Sequence, residues 1–285
     1  MQRYARVVIV GGSQLAAKCA EMAARTEPTL KITFFNIRGE RPPKAVEELD
    51  NLEYIHANKA QLMEHLRETT EKTLVFSIMN TYLFPADVTK NPALTLINLH
   101  HALLPNHPGR NAEIWAIFEG DATTGVTWHM ITPDVDAGEI ILQRRVEITE
   151  HMTALNLFRA LNQISEESFP AVFRAAMEGD LKTYPQPSDV RYPLRYAKDK
   201  PADGVLDLTW DIDKMYRFVR AMDYGILKVM GDPIVFLDGK RYTWKKYAYQ
   251  NGIDGSSEKI KITPEEVQIR QGGKELRLIG MFHCG

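Results

Sequence analysis

Residues 98–138 read NLHHALLPNHPGRNAEIWAIFEGDATTGVTWHMITPDVDAG. The apolar run Leu94-Thr95-Leu96-Ile97 leads directly into them, so Leu94–Leu99 predicts a buried strand with Asn98 and His100 at its carboxyl end. Side chains two apart in an extended segment point to the same side, which puts an amide and an imidazole over one pocket. The stretch closes on Asp136-Ala137-Gly138, an acid followed by a turn. An amide donor, an imidazole and a carboxylate suffice for acyl transfer to an amine. The amide steadies the oxyanion, the imidazole handles protons, and the carboxylate orients and charges the imidazole.

On the amino-terminal side, Arg6–Val10 is a β-branched run ending at Gly11-Gly12-Ser13, and Gln14–Arg25 reads as a helix. Ile32–Phe35, Glu53–His56 and Leu74–Met79 predict further strands, with a helix over Gln61–Glu68 that places Leu62, Met63 and Leu66 on one face. Near-continuous apolar strands alternating with helices predict an α/β fold, a Rossmann-like, mostly parallel sheet with helices on both faces. Ligands of such sheets bind at the carboxyl ends of the strands, beside a topological switch point. Gly11–Ser13, Asn80–Pro85 and Asn98–Asn111 gather there. Thr124–Ile131 and Glu139–Ile148 predict two strands joined by the Thr132–Gly138 loop, and Thr153–Met177 a long helix. Pro185, Pro187, Pro193 and Pro201 interrupt a linker over Gly179–Pro201. Beyond it come a helix at Ile212–Ala221 and short strands at Ile226–Met230, Ile234–Leu237, Arg241–Tyr249, Lys259–Ile262, Val267–Gln271 and Glu275–Ile279. These predict a small, partly open barrel of the OB-like kind. The expected organisation is a catalytic domain over residues 1–180, a linker over 181–203 and a C-terminal barrel-like domain over 204–285.

The chain has 285 residues, 44% hydrophobic and 25% charged, enough for one or two soluble domains. A formal charge of −2 exerts no global pull on nucleic acid or anionic membrane. Cys19 and Cys284, the only cysteines, lie at opposite ends, so a buried thiol at Cys19 is expected rather than a bridge. That usage fits a reducing cytoplasm. The amino terminus enters a strand directly, without a signal-peptide pattern, and no run approaches the roughly 20 apolar residues of a membrane helix.

Residues 98–138 resemble the folate-dependent formyltransferase family, which includes methionyl-tRNA formyltransferase and the sugar N-formyltransferases. The resemblance is carried by Asn98 and His100, Leu103-Leu104-Pro105, Gly109, Thr124-Gly125-Val126-Thr127, and Asp136 with Gly138, in the family's order. It extends over Arg6–Met177 and less specifically beyond, through Leu206–Trp210 and Val219-Arg220-Ala221. It implies 10-formyltetrahydrofolate as co-substrate, a primary amine as acceptor, and Asn98, His100 and Asp136 as the catalytic residues. The folate pocket it implies is formed by Met79, Asn80, Tyr82 and Leu83, with Thr132, Asp134 and Val135 opposite; ordinary core at a strand end explains the apolar members equally well. On the acceptor side it implies Gly12, Ser13, Arg110, Asn111, Thr127 and His129. A helix cap by Asn111 and a polar gap filled by His129 compete with those roles. Gly11-Gly12-Ser13 is not the full Gly-x-Gly-x-x-Gly of dinucleotide enzymes. His100, His101, His107 and His129 lack metal-ligand spacing, because adjacent histidines of an extended segment point apart; no metal is expected.

The acceptor is harder to read. Arg38-Gly39-Glu40-Arg41-Pro42-Pro43-Lys44 is short beside the basic insert that methionyl-tRNA formyltransferases carry after the second strand. From Pro201 onward thirteen Lys and Arg face twelve Asp and Glu, a weak footprint for a tRNA-binding barrel. A small-molecule amine is therefore the favoured partner, either an amino sugar or an amino-acid-derived amine such as hydroxyornithine. Methionyl-tRNA formylation, formyltetrahydrofolate hydrolysis, and a non-catalytic folate- or RNA-binding role remain alternatives. Oligomeric state is not legible.

Overall fold

The computed structural model describes residues 4–38, 48–188, 192–253 and 259–284. Most of the Arg38–Lys44 segment discussed above lies outside them. Contacts divide the chain into two compact units, one of residues 1–110, 125–146 and 160–194, the other of 111–124, 147–159 and 195–285. The units are interleaved in sequence.

The first unit is built on a seven-stranded sheet. Its strands are β1 (Arg6–Gly11), β2 (Lys31–Asn36), β3 (Leu52–His56), β4 (Thr73–Ile78), β5 (Leu94–His100), β6 (Thr123–Met130) and β7 (Ile140–Glu147). They lie in the order β3-β2-β1-β4-β5-β6-β7. The first five are parallel, and β6 turns antiparallel to β5. The chain leaves β1 toward β2 and β3 and then crosses to β4 and β5, so the switch point falls between β1 and β4. Gly11 ends β1 there. A Cβ at Gly11 would come 2.2 Å from the Ile78 carbonyl oxygen, so only glycine lets the two strand ends approach. This is the Rossmann-like sheet that the alternating pattern predicts.

Both faces of the sheet are covered, which is why its strands read as continuous apolar runs. On one face Val8, Val10, Val75 and Leu96 pack with Leu62, Met63 and Leu66 of helix α2 (Lys59–Glu68). On the other, Phe76 packs edge-on against Trp128 and Phe169 and at a tilt against Phe173, and Trp128 lies tilted against Phe169; Phe169 and Phe173 belong to the long helix Ala154–Glu178. Each such ring removed from water contributes about 1.5–3 kcal/mol. The Trp128 indole N–H is satisfied by Ser168 Oγ at 2.9 Å. Helix α1 (Gln14–Thr26) follows the Gly11-Gly12 turn, with Ser13 as its N-cap accepting from Ala16 N.

Among the described residues the second unit holds two four-stranded sheets, the strand-rich carboxy-terminal region expected. The first contains β8 (Val205–Leu206), β9 (Ile234–Leu237), β10 (Lys240–Thr243) and β15 (Phe282–His283). The second contains β11 (Lys246–Asn251), β12 (Lys259–Ile262), β13 (Glu266–Gln271) and β14 (Lys274–Ile279). Two expectations fail here. Arg241–Tyr249 is two strands, broken after Thr243 and shared between the sheets. Ile226–Met230 is not a strand but a run of turns between Gly225 and Gly231, both at positive φ. Apolar residues alone do not make a strand where no neighbouring strand supplies the ladder. Among the described residues no helix is long and apolar enough to cross a membrane.

Candidate active site

At the carboxyl end of β5, side chains of two strands and one loop converge. Asn98 lies directly across the β5–β6 ladder from His129, and its Nδ2 is 3.1 Å from His129 Nε2. His129 Nδ1 donates to the Met130 carbonyl at 2.9 Å, because a carbonyl only accepts. When Nε2 carries no proton, it is the acceptor and the Asn98 amide donates to it. Asp136 joins from the β6–β7 loop. Its Oδ1 is 3.5 Å from His129 Nε2 and its Oδ2 3.4 Å from His100 Nδ1. The structure thus brings Asn98, His100 and Asp136 together and adds His129 as the residue linking the amide to the carboxylate.

The loop is shaped to deliver that carboxylate. Asp136 stands at φ 53°, and Gly109 N–H donates to its Oδ2 at 2.8 Å. A Cβ on Gly138 would lie 1.7 Å from the Met130 carbonyl oxygen, so the Gly of the Asp-x-Gly pattern is a steric requirement. Burial pulls the Asp136 pKa upward. The charges that His100 and His129 carry when protonated, with the Gly109 N–H, outweigh it and hold the carboxyl well below the usual range. Asp136 is therefore ionised at neutral pH.

His100 is buried, and its Nε2–H donates to the His107 carbonyl at 2.8 Å. In the neutral ring the lone pair is then on Nδ1, the nitrogen beside Asp136. Burial lowers the His100 pKa, and Asp136 offsets part of that. The result is an imidazole neutral near pH 7 whose accepting nitrogen stands next to a carboxylate able to stabilise the ring once it takes a proton.

The other expected site residues divide. Thr127 is fully buried, and its hydroxyl donates to Ala102 O and accepts from Leu104 N and Gln143 Nε2. These three bonds brace the turn after His100. Ser13 Oγ caps α1. Gly12 lies under the aliphatic stem of Arg38, whose Cγ would be 2.5 Å from an added Cβ. Arg110 is half-buried. Asn111 occupies the N-cap position of helix α4 (Ala112–Glu119) at φ 57° with no capping bond from its side chain. His101 turns away from His100 to Ser165 Oγ at 3.3 Å, and among the described residues no group of His, Cys, Asp or Glu is arranged to hold a metal ion.

At the end of β4, Met79 adopts φ 52° and Asn80 folds back on its own loop, accepting from Tyr82 N and donating to Tyr82 O. Met79 and Tyr82 are half-buried and Leu83 is exposed. Across the loop, Thr132 Oγ1 donates to Asp134 O at 3.0 Å, Val135 is half-buried and Asp134 exposed. Apolar walls beside main-chain donors and acceptors are the chemistry a flat, hydrogen-bonding pterin requires, so these residues fit that group.

Sequence reading did not find the His107 carbonyl or Gln186, which donates to the carbonyls of Asp136 and Gly138. A main-chain acceptor leaves no mark on residue type, and Gln186 lies in the stretch read as linker.

The formyl transferase family matches residues 29–173, about half the chain, and the protein belongs to that family. GDP-perosamine N-formyltransferases of Brucella melitensis and Brucella abortus are each 31% identical to it over 168 residues, covering 55% of this chain and 61% of theirs. The chain thus spans less than two thirds of those relatives. WlaRD, a sugar 3N-formyl transferase solved in the presence of dTDP and 5-N-formyl-THF, superposes with a TM-score of 0.77 at 17% identity, over 96% of this chain and 97% of that one. An N-formyltransferase from Helicobacter canadensis, in complex with folinic acid and dTDP-3-aminofucose, gives 0.77 at 16% identity, over 97% and 99%. At these identities the likeness is one of fold.

Proposed function

We propose that this protein moves a formyl group from 10-formyltetrahydrofolate to the primary amine of a nucleotide-linked amino sugar. The carrying observation is the cluster of Asn98, His100, His129 and Asp136, held by contacts of 3.1 to 3.5 Å at the carboxyl end of the sheet. It lies within the residues that the family matches. The names of the GDP-perosamine relatives and the ligands of the two folded neighbours support an amino sugar over an amino-acid-derived amine.

Formyltetrahydrofolate supplies a formyl carbon on a nitrogen that can leave. Asn98 has one amide hydrogen directed at His129, which leaves the other for the formyl oxygen as negative charge gathers there. His100 Nδ1 takes the proton released as the amine attacks. Asp136 stabilises the imidazolium and helps direct its proton to the departing folate nitrogen. Met79, Tyr82, Leu83, Thr132 and Val135 would wall the folate, and Gly12, Ser13, Arg110 and Asn111 would border the acceptor.

The test is isotope-labelled formyl transfer with GDP- and dTDP-linked amino sugars, hydroxyornithine, methionyl-tRNA and a water-only control. Label on the nucleotide-linked amino sugar is expected. Label appearing only as formate, at the same rate with and without amine, would overturn the reading in favour of a hydrolase.

A further inference from the structure

The chain that follows the helix Ala154–Glu178 touches the Asp136 loop and also His107, whose carbonyl holds His100. Ile140 N donates to Tyr184 O at 2.8 Å and Tyr184 N to Ile140 O at 3.0 Å. This short ladder brings Gln186 against the carboxylate loop. Gln186 Nε2 donates to Asp136 O at 2.7 Å and Gly138 O at 2.8 Å, which uses both hydrogens of the amide. On the imidazole side, the Tyr192 ring stacks on His107 with centroids 3.9 Å apart and planes at 14°. The His107 carbonyl is the acceptor that fixes His100 Nε2.

Asp136 and His107 share a further property. Both are non-glycine residues in the left-handed region, at φ 53° and φ 51°. Such a conformation costs about 1–3 kcal/mol and persists only where its surroundings over-determine it. The two residues that anchor the pair are thus strained, and each is engaged by a side chain from the same downstream stretch.

We propose that Gln186 and Tyr192 are positioning residues that hold the His100–Asp136 pair in register, Gln186 by fixing the Asp136 loop and Tyr192 by fixing the His107 carbonyl. Neither is assigned a contact with the reacting atoms. The proposal rests on the formyl-transfer reading for its kinetic consequence only, so the first measurement does not use activity.

His100 is titrated by NMR in the full chain and in Gln186→Leu, Gln186→Glu and Tyr192→Leu. The groups facing His100 are Asp136, His129 and His107. If Gln186 holds Asp136 in place, its loss moves the His100 midpoint down, because the favourable charge retreats. Turnover should fall about tenfold to a hundredfold while KM for donor and acceptor changes less than about twofold. Gln186→Glu keeps the volume but turns a carboxylate on two carbonyls, so it should be as damaging as leucine, and it serves where the leucine variant fails to fold. In an Asp136→Asn background Gln186→Leu should add no further loss. A His100 midpoint and turnover unchanged in folded Gln186 and Tyr192 variants would overturn the proposal, as would a loss that multiplies fully with Asp136→Asn. A wild-type protein inactive on every amine would sink the formyl-transfer reading and leave the His100 titration to decide this one.

Discussion

Asn98 and His129 stand directly opposite each other in the antiparallel β5–β6 pair, with the amide nitrogen 3.1 Å from the ring Nε2. Cross-strand partners cannot drift apart without breaking the ladder, so the sheet itself fixes the direction of the Asn98 amide. His129 Nε2 also reaches Asp136, which ties the Asn98 amide to the carboxylate. His129→Leu should lower turnover about tenfold or more through misdirection of Asn98. In combination with Asn98→Ala its effect should be well below the product of the two, measured as a double-mutant cycle in kcat.

Asn98→Ala, His100→Ala and Asp136→Ala should each reduce turnover about a hundred- to a thousandfold. Circular dichroism and thermal melts should show little loss of folding. Wild-type-like rates in any of the three would remove the assignment.

Gly138→Ala should abolish activity and destabilise the fold by on the order of 3 kcal/mol. The added Cβ would meet the Met130 carbonyl oxygen at 1.7 Å. That oxygen belongs to main chain and cannot swing aside as a flexible side chain would. Denaturant unfolding and an activity assay on the same preparation check both consequences.

Activity should persist into mildly acid solution. In the proposed mechanism His100 acts as a base in its neutral form, and burial lowers its pKa from 6.5. The acid limb of kcat/KM should accordingly lie below pH 6.5, and Asp136→Asn should shift it lower still while reducing the rate.

Stability has its own acid dependence. Burial pushes the His101 pKa down to about 3, whereas an unfolded histidine titrates near 6.5. The unfolded chain then binds a proton that the folded chain refuses, so stability is fully present above about pH 6.5 and falls as pH drops toward 3. His101→Gln should flatten the decline in Tm between pH 7 and pH 4.

Several of these relationships were legible before any coordinates. Val7–Val10 and Leu94–Ile97 announce buried parallel strands, because a strand covered on both faces has no solvent side to mark. The same-side placement of Asn98 and His100 follows from the two-residue period of a strand. The pairing of Asn98 with His129 was not legible, since register across an antiparallel pair depends on where the β5–β6 connection lets β6 begin. Nor were the bonds of the Thr127 hydroxyl to Ala102 O, Leu104 N and Gln143 Nε2 legible, since they join positions far apart in the chain. Ile226–Met230 has the apolar content of a strand but pairs with no strand among the described residues.

The order of residue types along β5 and the Asp-x-Gly loop settled the kind of sheet and three members of the cluster, because strand periodicity and local turn chemistry act over a few neighbouring residues. Folding in three dimensions settled which atoms meet: His129 against Asn98, the His107 carbonyl against His100, Gln186 against the Asp136 loop. Those contacts join positions 7 to 50 residues apart, a separation over which chain-local preferences carry no information and packing decides.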